Sequence, residues 1–262
     1  MSYFDELRKL LLMRAVVLWL LIVVPFICHG GDGVLIVADE FPAMEVLARE
    51  LKEEQGIDSR IIKQVEMPSV LQAYRSVIVY IHGKLMPSVE RACIDYANGG
   101  GRLLVLHHSI SSGKRTNEVW FDFLGVKLAE GEASRGGYKW IEPVTYQVVK
   151  LADHFITTNK VLWPEMVDYS TEQSQNKGHR LSGFTLRDSE VYLNHQLSGK
   201  KTFLLGFKYK DSDGTVWMQN TAGWYQAAGK GVVFYFQPGH SPADFENPTF
   251  ARLLLNTIIW RP

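Results

Sequence analysis

The chain has 262 residues, of which 46% are hydrophobic and 21% charged, a composition typical of a globular protein with room for a sizeable core. Its 28 basic residues balance its 28 acidic residues, so the formal net charge is zero. This balance and the lack of a basic stripe argue against a nucleic-acid-binding function, and we expect no nucleic-acid partner.

The first 30 residues differ in kind from the rest of the chain. Three basic residues precede an apolar run, residues 15–28, which is short for a membrane span and is interrupted by a proline. A basic start followed by an apolar run and small residues is typical of a secretory signal. We therefore expect residues 1–30 to direct export, to the periplasm or out of the cell, and residues 31–262 to form the mature domain. The alternative is an uncleaved N-terminal anchor that tethers the protein to a membrane.

Strands and helices alternate through the first half of the mature chain. Short apolar runs predict strands, and apolar positions at helical spacing after Pro42 and Pro87 predict helices. The predicted order is strand, helix, short strand, strand, helix, strand, over residues 33–39, 42–56, 59–62, 76–81, 87–97 and 102–107. This alternation predicts an α/β fold with a parallel sheet that is covered by helices on both faces.

The second half is predicted to contain a short helix that ends at Gly125 and a strand over residues 144–149. Residues 159–182 are polar and irregular, which predicts a long surface loop. An antiparallel hairpin follows, and then a strand over residues 232–236 and a final helix that starts near Asn247 and packs on the sheet. We expect a single domain without an internal repeat.

Two of the predicted strands end in histidine. His107, His108 and Ser109 follow the apolar run of residues 103–106, and His240 follows another apolar strand. Sheets of this kind bind their ligands outside the carboxyl ends of their strands. These side chains are therefore candidates for a site at that edge of the sheet.

Four segments of the chain match, in order, the pattern of one known family. The last of them is the most specific, with a glycine turn, a strand, Gly-His, a proline-containing loop and a closing LL-N-I-W pattern. The segments are GGGRLLVLHHS (99–109), DHFIT (153–157), DSEVY (188–192) and GKGVVFYFQPGHSPADFENPTFARLLLNTIIW (229–260). On these residues the chain resembles the trehalose-utilisation (ThuA-like) proteins, members of the class I glutamine-amidotransferase-like superfamily. It departs from the family's pattern at Phe155, where proline is usual, and by one extra residue in DSEVY.

The resemblance implies a flavodoxin-like, mostly parallel sheet with helices on both faces and an added antiparallel hairpin. It also implies a role in carbohydrate metabolism. Amidotransferases of this fold carry a nucleophilic cysteine at a sharp strand-to-helix turn, but here that turn reads LHHSI, residues 106–110. Cys93 falls inside a predicted helix, on its apolar face, so we expect no thiolate chemistry on glutamine.

Three residues are candidates for acid–base catalysis. His107 and His240 end strands and match the family's motifs, and an imidazole can act as a general acid or base near neutral pH. Glu190 lies in the DSEVY segment, and it can act as an acid or base or orient a histidine. The structural alternatives are that His107 is a buried, hydrogen-bonded histidine, that His240 stabilises a loop and that Glu190 is a solvated carboxylate.

His108 and Ser109 are candidates for substrate binding. Because side chains alternate along a strand, His108 is expected to face away from His107 if the strand continues. Ser109 lacks the Gly-x-Ser-x-Gly context of a nucleophile, and we expect it to cap the turn that follows.

Four further residues are candidates for contacts with a sugar. Tyr192 can hold a sugar hydroxyl, and His195 lies three residues beyond it as a weaker option. Trp120 and Trp224 are predicted to be exposed in the cleft, where an aromatic face can stack on a sugar ring. For the tyrosine and the two tryptophans the alternative is packing in the core.

We expect no organic cofactor, but a divalent metal stays open as an alternative. The side chains of His107, Glu190 and His240 are of the types that bind zinc and similar ions. Their spacing in the sequence matches no compact metal-binding signature.

The first functional hypothesis is an exported enzyme that acts on a small sugar or keto-sugar derivative by histidine and glutamate acid–base chemistry. The alternative is a non-catalytic sugar-binding or assembly module, since a fold can lose its nucleophile and keep its pocket. A third hypothesis is a structural envelope protein, and it depends on the N-terminal segment alone. The expected partner is a small-molecule sugar, and association into a homo-oligomer stays open.

Overall fold

The computed structural model describes residues 33–171 and 179–261. The predicted signal or anchor, residues 1–30, lies outside these ranges, so its role stays a prediction. Within them, no helix combines the length and the hydropathy that crossing a membrane requires.

The first half of the fold alternates strands and helices in the predicted order. Its elements are β1 (Val34–Ala38), α1 (Pro42–Gln55), β2 (Ser59–Ile62), β3 (Ser76–Tyr80), α2 (Pro87–Asn98) and β4 (Arg102–Leu106). Both helices begin at a proline, whose fixed φ suits the first helical turn and whose missing N–H costs no bond there. These six predicted elements are confirmed.

The second half adds more strands than helices. Its elements are α3 (Glu118–Leu124), β5 (Val126–Leu128), β6 (Lys139–Lys150), α4 (Phe155–Thr158), β7 (Glu165–Tyr169), β8 (His179–Leu193), β9 (His195–Leu197), β10 (Thr202–Lys210), β11 (Val216–Ala228), β12 (Gly231–Phe236), α5 (Pro242–Glu246) and α6 (Pro248–Ile259). The predicted short helix, hairpin and final helix correspond to α3, to β10 with β11, and to α6.

The long surface loop predicted over residues 159–182 is wrong in part. β7 and the start of β8 fall inside it and pair with each other in antiparallel fashion, while residues 172–178 lie outside the described ranges. In β7 only Val167 and Tyr169 are buried, and the alternating residues Met166 and Asp168 are exposed. The sequence of this strand resembles a polar loop, because only two buried side chains indicate the alternation of a strand.

Among the described residues, ten of the twelve strands form one sheet in the order β2-β1-β3-β4-β12-β11-β10-β6-β8-β7. The first five strands in this order, β2, β1, β3, β4 and β12, are parallel, and they have the 2-1-3-4-5 order of flavodoxin-like sheets. From β12 onward every neighbouring pair is antiparallel. The sheet is therefore mixed, which corrects the expectation of a mostly parallel sheet with one added hairpin. The hairpin of β10 and β11 leaves an edge with free backbone groups, and β6, β8 and β7 continue the sheet from that edge.

A hydrophobic core covers each face of the sheet. On β1, Val34 and Ile36 belong to one core, and Leu35 and Val37 belong to the other, as the alternation of side chains along a strand requires. α1 and α6 contribute to the first core, and α2 and α3 contribute to the second. The prediction of helices on both faces is confirmed.

The carboxyl ends of β1, β3, β4 and β12 meet at one edge of the sheet, because these strands are parallel. β4 stops at Leu106, and His107 turns with a φ of 46°, in the left-handed region that residues other than glycine rarely adopt. Residues 107–110 then form a short 3-10 turn. The strand therefore does not continue through His107 and His108, and the turn places both imidazoles at this edge.

Candidate functional site

The carboxylate of Glu190 lies between two imidazoles. His107 Nε2 is 2.8 Å from Glu190 Oε2, and His240 Nδ1 is 3.4 Å from the same oxygen. Tyr192 donates its hydroxyl to that oxygen at 2.7 Å, and its ring stacks on His107 with 4.9 Å between ring centroids. The fold thus brings together the three predicted catalytic residues and Tyr192. We call these four residues the Glu190 cluster.

The ring of His107 is held on both sides. Nδ1 lies 2.5 Å from the backbone carbonyl oxygen of Gln237, which can only accept, so Nδ1 carries a proton. Nε2 faces Glu190, and the hydroxyl of Tyr235 donates to the His107 carbonyl oxygen at 3.3 Å. The side chain of His107 is 0% exposed. Its position suits orienting Glu190 rather than touching a ligand.

His240 is positioned by the turn that follows β12. Gly239 has a φ of 119°, a conformation that only glycine adopts readily. Asp244 Oδ2 accepts hydrogen bonds from the backbone N–H groups of Gly239 and His240 at 3.1 and 2.8 Å. The same oxygen accepts the hydroxyl of Ser189 at 2.7 Å. Because Ser189 precedes Glu190 on β8, Asp244 ties the turn that carries His240 to the strand that carries Glu190.

Glu190 and His240 shift each other's pKa toward the charged form. Burial by itself raises the pKa of Glu190, but contacts with the two histidines and Tyr192 outweigh burial and lower this pKa to about 2. Glu190 is therefore ionised near neutral pH. Its contact with His240, helped by Glu142, raises the pKa of that imidazole above the ordinary value of 6.5, although burial opposes the shift. His240 consequently keeps its proton to higher pH than a free imidazole.

The open side of the cluster is formed by His240 and Glu142. Their side chains are 27% and 39% exposed, and His240 Nε2 lies 3.0 Å from Glu142 Oε2. The side chain of Glu190, behind them, is 10% exposed. Glu142 was not predicted as a site residue, and its local sequence carries no signal for this role. It lies on β6, and only the antiparallel pairing of β6 with β8 brings it beside the cluster.

This arrangement can move a proton at its open side. His240 presents Nδ1 to Glu190 and Nε2 to Glu142 at the exposed side. A ligand that replaces Glu142 at Nε2 can exchange its proton there while Glu190 stabilises the charged ring. A histidine with a carboxylate behind it is a common acid–base pair.

Two groups of three side chains in the described part of the chain could also hold a metal ion. In each group the ligand atoms lie within 4.8 Å of one another. The groups are His107, Glu190 and His240, and Glu40, His82 and His108. The first is the metal alternative predicted from the sequence, although both ring nitrogens of His107 are already engaged there.

His108 lies beside the Glu190 cluster, with 5.0 Å between its ring centroid and that of His107. It is 3% exposed and packs between the rings of Tyr80 and His82, at centroid distances of 4.5 and 4.7 Å. Burial holds the pKa of His108 far below its usual range, so the ring is neutral. The expectation that His108 faces away from His107 is not met, because the strand ends at Leu106 and the turn brings the two rings into contact.

Ser109 connects the turn after β4 to the end of β3. Its hydroxyl donates to the carbonyl oxygen of Val79 at 2.9 Å and accepts the N–H of Ile81 at 3.0 Å. The expectation that Ser109 caps the following turn is wrong, because both of its bonds go to the neighbouring strand end. Fully buried and doubly bonded, its hydroxyl is not placed to contact a substrate.

The predicted exposure of Trp120 and Trp224 is also wrong. Both side chains are 0% exposed and belong to the core on the α2 side of the sheet. Trp120 Nε1 donates to the carbonyl oxygen of Ser109 at 2.9 Å, and Trp224 packs on Tyr235 with 5.6 Å between ring centroids. Burial of such large apolar rings contributes more to stability than exposure in a cleft, and the strand and helix that carry them face the core.

His195 lies behind the cluster rather than in it. It is 5% exposed, and its ring centroid lies 5.3 Å from that of Tyr138 and 5.5 Å from that of Tyr192. Burial lowers the pKa of His195 to about 3. Its contact with Tyr192 makes it a support for that ring.

Cys93 lies on the buried face of α2, as predicted from the sequence. Burial raises the pKa of its thiol to about 12, so the thiolate that a nucleophilic cysteine requires does not form near neutral pH. None of the contacts of the Glu190 cluster involves this residue.

Most of the described chain matches one protein-family model. A family model named ThuA, described as trehalose utilisation, matches residues 36–261. No curated protein matches the sequence.

Solved structures share the fold at low sequence identity. A protein of Bacteroides uniformis ATCC 8492 described as ThuA-like is 16% identical, with a TM-score of 0.58 over 87% of this chain and 91% of that one. A cytoplasmic protein of Salmonella typhimurium LT2 is 14% identical, with a TM-score of 0.56 over 86% of this chain and 98% of that one. The β-galactosidase of Rahnella sp. R3 is 12% identical, with a TM-score of 0.50 over 86% of this chain but 30% of that one. At these identities the likeness is one of fold alone.

Proposed function

Because the chain belongs to the ThuA family, described as trehalose utilisation, we propose that it is an exported enzyme of carbohydrate breakdown. Its substrate is a small sugar or a keto-sugar derivative. The observation that carries the proposal is the Glu190 carboxylate held between His107 and His240. This cluster lies at the edge of the sheet where folds of this class bind their ligands. The family match confirms the resemblance that four sequence segments indicated.

In the proposed mechanism, His240 is the general acid or base. Its Nε2, on the open side, exchanges a proton with a hydroxyl or carbonyl oxygen of the sugar. Glu190 stabilises the protonated ring, and His107 is a positioning residue that holds Glu190 from the buried side. Glu142 accepts hydrogen bonds from sugar hydroxyls at the mouth of the site.

The test is proton NMR of the purified full chain with plain and keto-disaccharides, with and without an added divalent metal. The protein is compared with its His240→Gln and Glu190→Gln variants. His179→Gln serves as a matched control, because His179 is an exposed histidine on β8 outside the cluster. We expect wild type and control to convert one substrate class, and His240→Gln to lose roughly 100-fold or more of the turnover.

The outcomes separate the alternatives. Conversion at the wild-type rate by His240→Gln overturns the acid–base assignment. Turnover that appears only with added metal shows that an ion takes part. Shifted or broadened sugar signals without conversion favour a non-catalytic sugar-binding module, for which the absence of a cysteine at the strand-end turn is the supporting observation.

The export of the protein is a separate part of the proposal. It is supported by the basic start and the apolar run of residues 15–28. Sequencing of the mature N-terminus tests it. A start near Gly31 supports export with cleavage, and an intact N-terminus in a membrane fraction supports the anchor instead.

A further inference from the structure

Beside the Glu190 cluster, a second group of ligand-type side chains lies at the same edge of the sheet. Glu40 follows β1, His82 follows β3 and His108 follows β4. Each offers one ligand atom, and these atoms lie within 4.8 Å of one another. His82 Nδ1 is 3.2 Å from Glu40 Oε1, and the rings of the two histidines have centroids 4.7 Å apart. We call these three residues the His82 group.

The backbone that carries this group is fixed from the inside. Lys114 is 0% exposed, and its Nζ donates to the carbonyl oxygens of His82 and His108 at 2.8 and 2.7 Å. Asp39 accepts the N–H of His82 at 2.8 Å. A Cβ on Gly113 would lie 2.6 Å from the His82 carbonyl oxygen. The backbone next to Lys114 therefore lies closer to His82 than any residue with a side chain would allow. The backbone of both histidines is therefore held in place before any ligand binds, which lowers the entropic cost of binding.

One ring nitrogen in the group has no partner. His108 is 3% exposed, and within the described part of the chain its Nε2 is buried without a hydrogen bond. Native proteins leave few buried polar atoms in this state, and a bound ligand is one of the reasons for such an atom. The carboxylates of Asp39 and Glu40 outnumber the single ammonium group of Lys114 at this end of the sheet, and this balance favours a cation.

We propose that Glu40, His82 and His108 bind one divalent transition-metal ion, for which zinc is the best match. Two imidazoles and a carboxylate suit zinc, whereas magnesium prefers oxygen ligands alone. The side chains of His82 and Glu40 are 66% and 49% exposed, so the ion keeps an open side for water or a further ligand. The site is distinct from the Glu190 cluster, and its occupancy does not depend on the proposed sugar chemistry.

The test is calorimetric titration of the chelator-treated full chain with zinc chloride. We expect one ion per chain for the wild type, and no comparable heat with magnesium chloride. His82→Ala and Glu40→Gln each remove one ligand, so each weakens zinc binding by more than the roughly 10- to 100-fold that loss of an outer-shell partner costs. Both residues are exposed, so both variants are expected to fold, and their circular dichroism melts check this. His179→Ala removes an exposed histidine elsewhere and should bind zinc as the wild type does.

A further variant distinguishes the two groups of ligands. Glu190→Gln removes the carboxylate of the neighbouring cluster and should leave the zinc affinity unchanged. The proposal is overturned if the wild type binds no zinc, if His82→Ala and Glu40→Gln retain wild-type affinity, or if Glu190→Gln alone abolishes binding. None of these readouts requires the protein to turn over a sugar, so failure of the proposed function leaves this test intact.

Discussion

Glu190 is the residue on which both histidines of the cluster converge. Its folded-state pKa, lowered to about 2, lies below the ordinary value of 4.5. A depressed pKa contributes stability that is present above the ordinary value and is lost as the pH falls toward the folded value. Glu190 therefore remains charged throughout the neutral range. His240 has a raised pKa and the opposite dependence.

The contribution of His240 to stability should fade as the pH rises. Because its folded pKa lies above the ordinary 6.5, its stabilisation is fully present below that value and is lost as the pH passes the folded pKa. Urea denaturation of the wild type and His240→Gln from about pH 5 to about pH 9 measures this. We expect the wild type to be more stable at the acidic end and the difference to shrink toward the alkaline end. A difference that grows with pH contradicts the proposed ion pair with Glu190.

One side-chain cap and one buried amide hold the last helix, α6, against its neighbours. The side chain of Asn247 accepts the N–H groups of Thr249 and Phe250 at 3.0 and 3.2 Å, which satisfies two donors of the first turn. Asn256, fully buried on the same helix, donates to the carbonyl oxygens of Ile156 and Asn159. The helix is thereby joined to α4 and to the loop after it.

Removal of this cap should destabilise the protein without changing its fold. Asn247→Ala is expected to lower the free energy of unfolding by about 1 kcal/mol, because two N–H groups lose their acceptor. Asn247→Asp keeps a capping oxygen and should cost much less. Urea denaturation followed by circular dichroism measures both. An equal loss in the two variants contradicts the role of the side-chain oxygen.

At the scale of the whole molecule, β12 is the strand where the two halves of the sheet meet. It pairs in parallel with β4 and in antiparallel fashion with β11. Its residues alternate between the two cores, with Phe234 in one and Val233 and Tyr235 in the other. One strand thus links both cores and both halves of the sheet, which favours cooperative unfolding of the domain.

A cavity in this strand should therefore weaken the whole domain. Phe234 is 0% exposed, and Phe234→Ala is expected to cost about 3–5 kcal/mol of unfolding free energy. Circular dichroism and tryptophan fluorescence should shift together, because the two cores share β12 and unfold as one unit. Phe203→Ala, at a phenylalanine that is 39% exposed, is the matched control and should cost much less. Separate transitions for the two probes contradict a single cooperative unit.

The predictions from sequence succeeded where local patterns are strong. The six elements of the parallel half follow from apolar runs, helical spacing and two prolines, and the convergence of His107 and His240 follows from strand direction. The prediction for Trp120 and Trp224 failed because exposure depends on which face of an element meets the core. Glu142 is not predictable from the sequence, because its place beside His240 depends on the pairing of β6 with β8, which are distant in the sequence.

The sequence alone specifies the family, the βα alternation and the edge of the sheet where the candidate site lies. These features are encoded in residues close together in the chain, since periodicity and capping act over a few positions. Only the folded sheet shows that Glu190 lies between His107 and His240, and that His82 and Glu40 lie near His108. Those contacts join residues separated by tens of positions, and their geometry is set by strand pairing and by buried hydrogen bonds such as those of Lys114 and Asp244. A sequence pattern carries no record of which distant strands pair, so the chemistry of the site becomes visible only when the sheet is assembled.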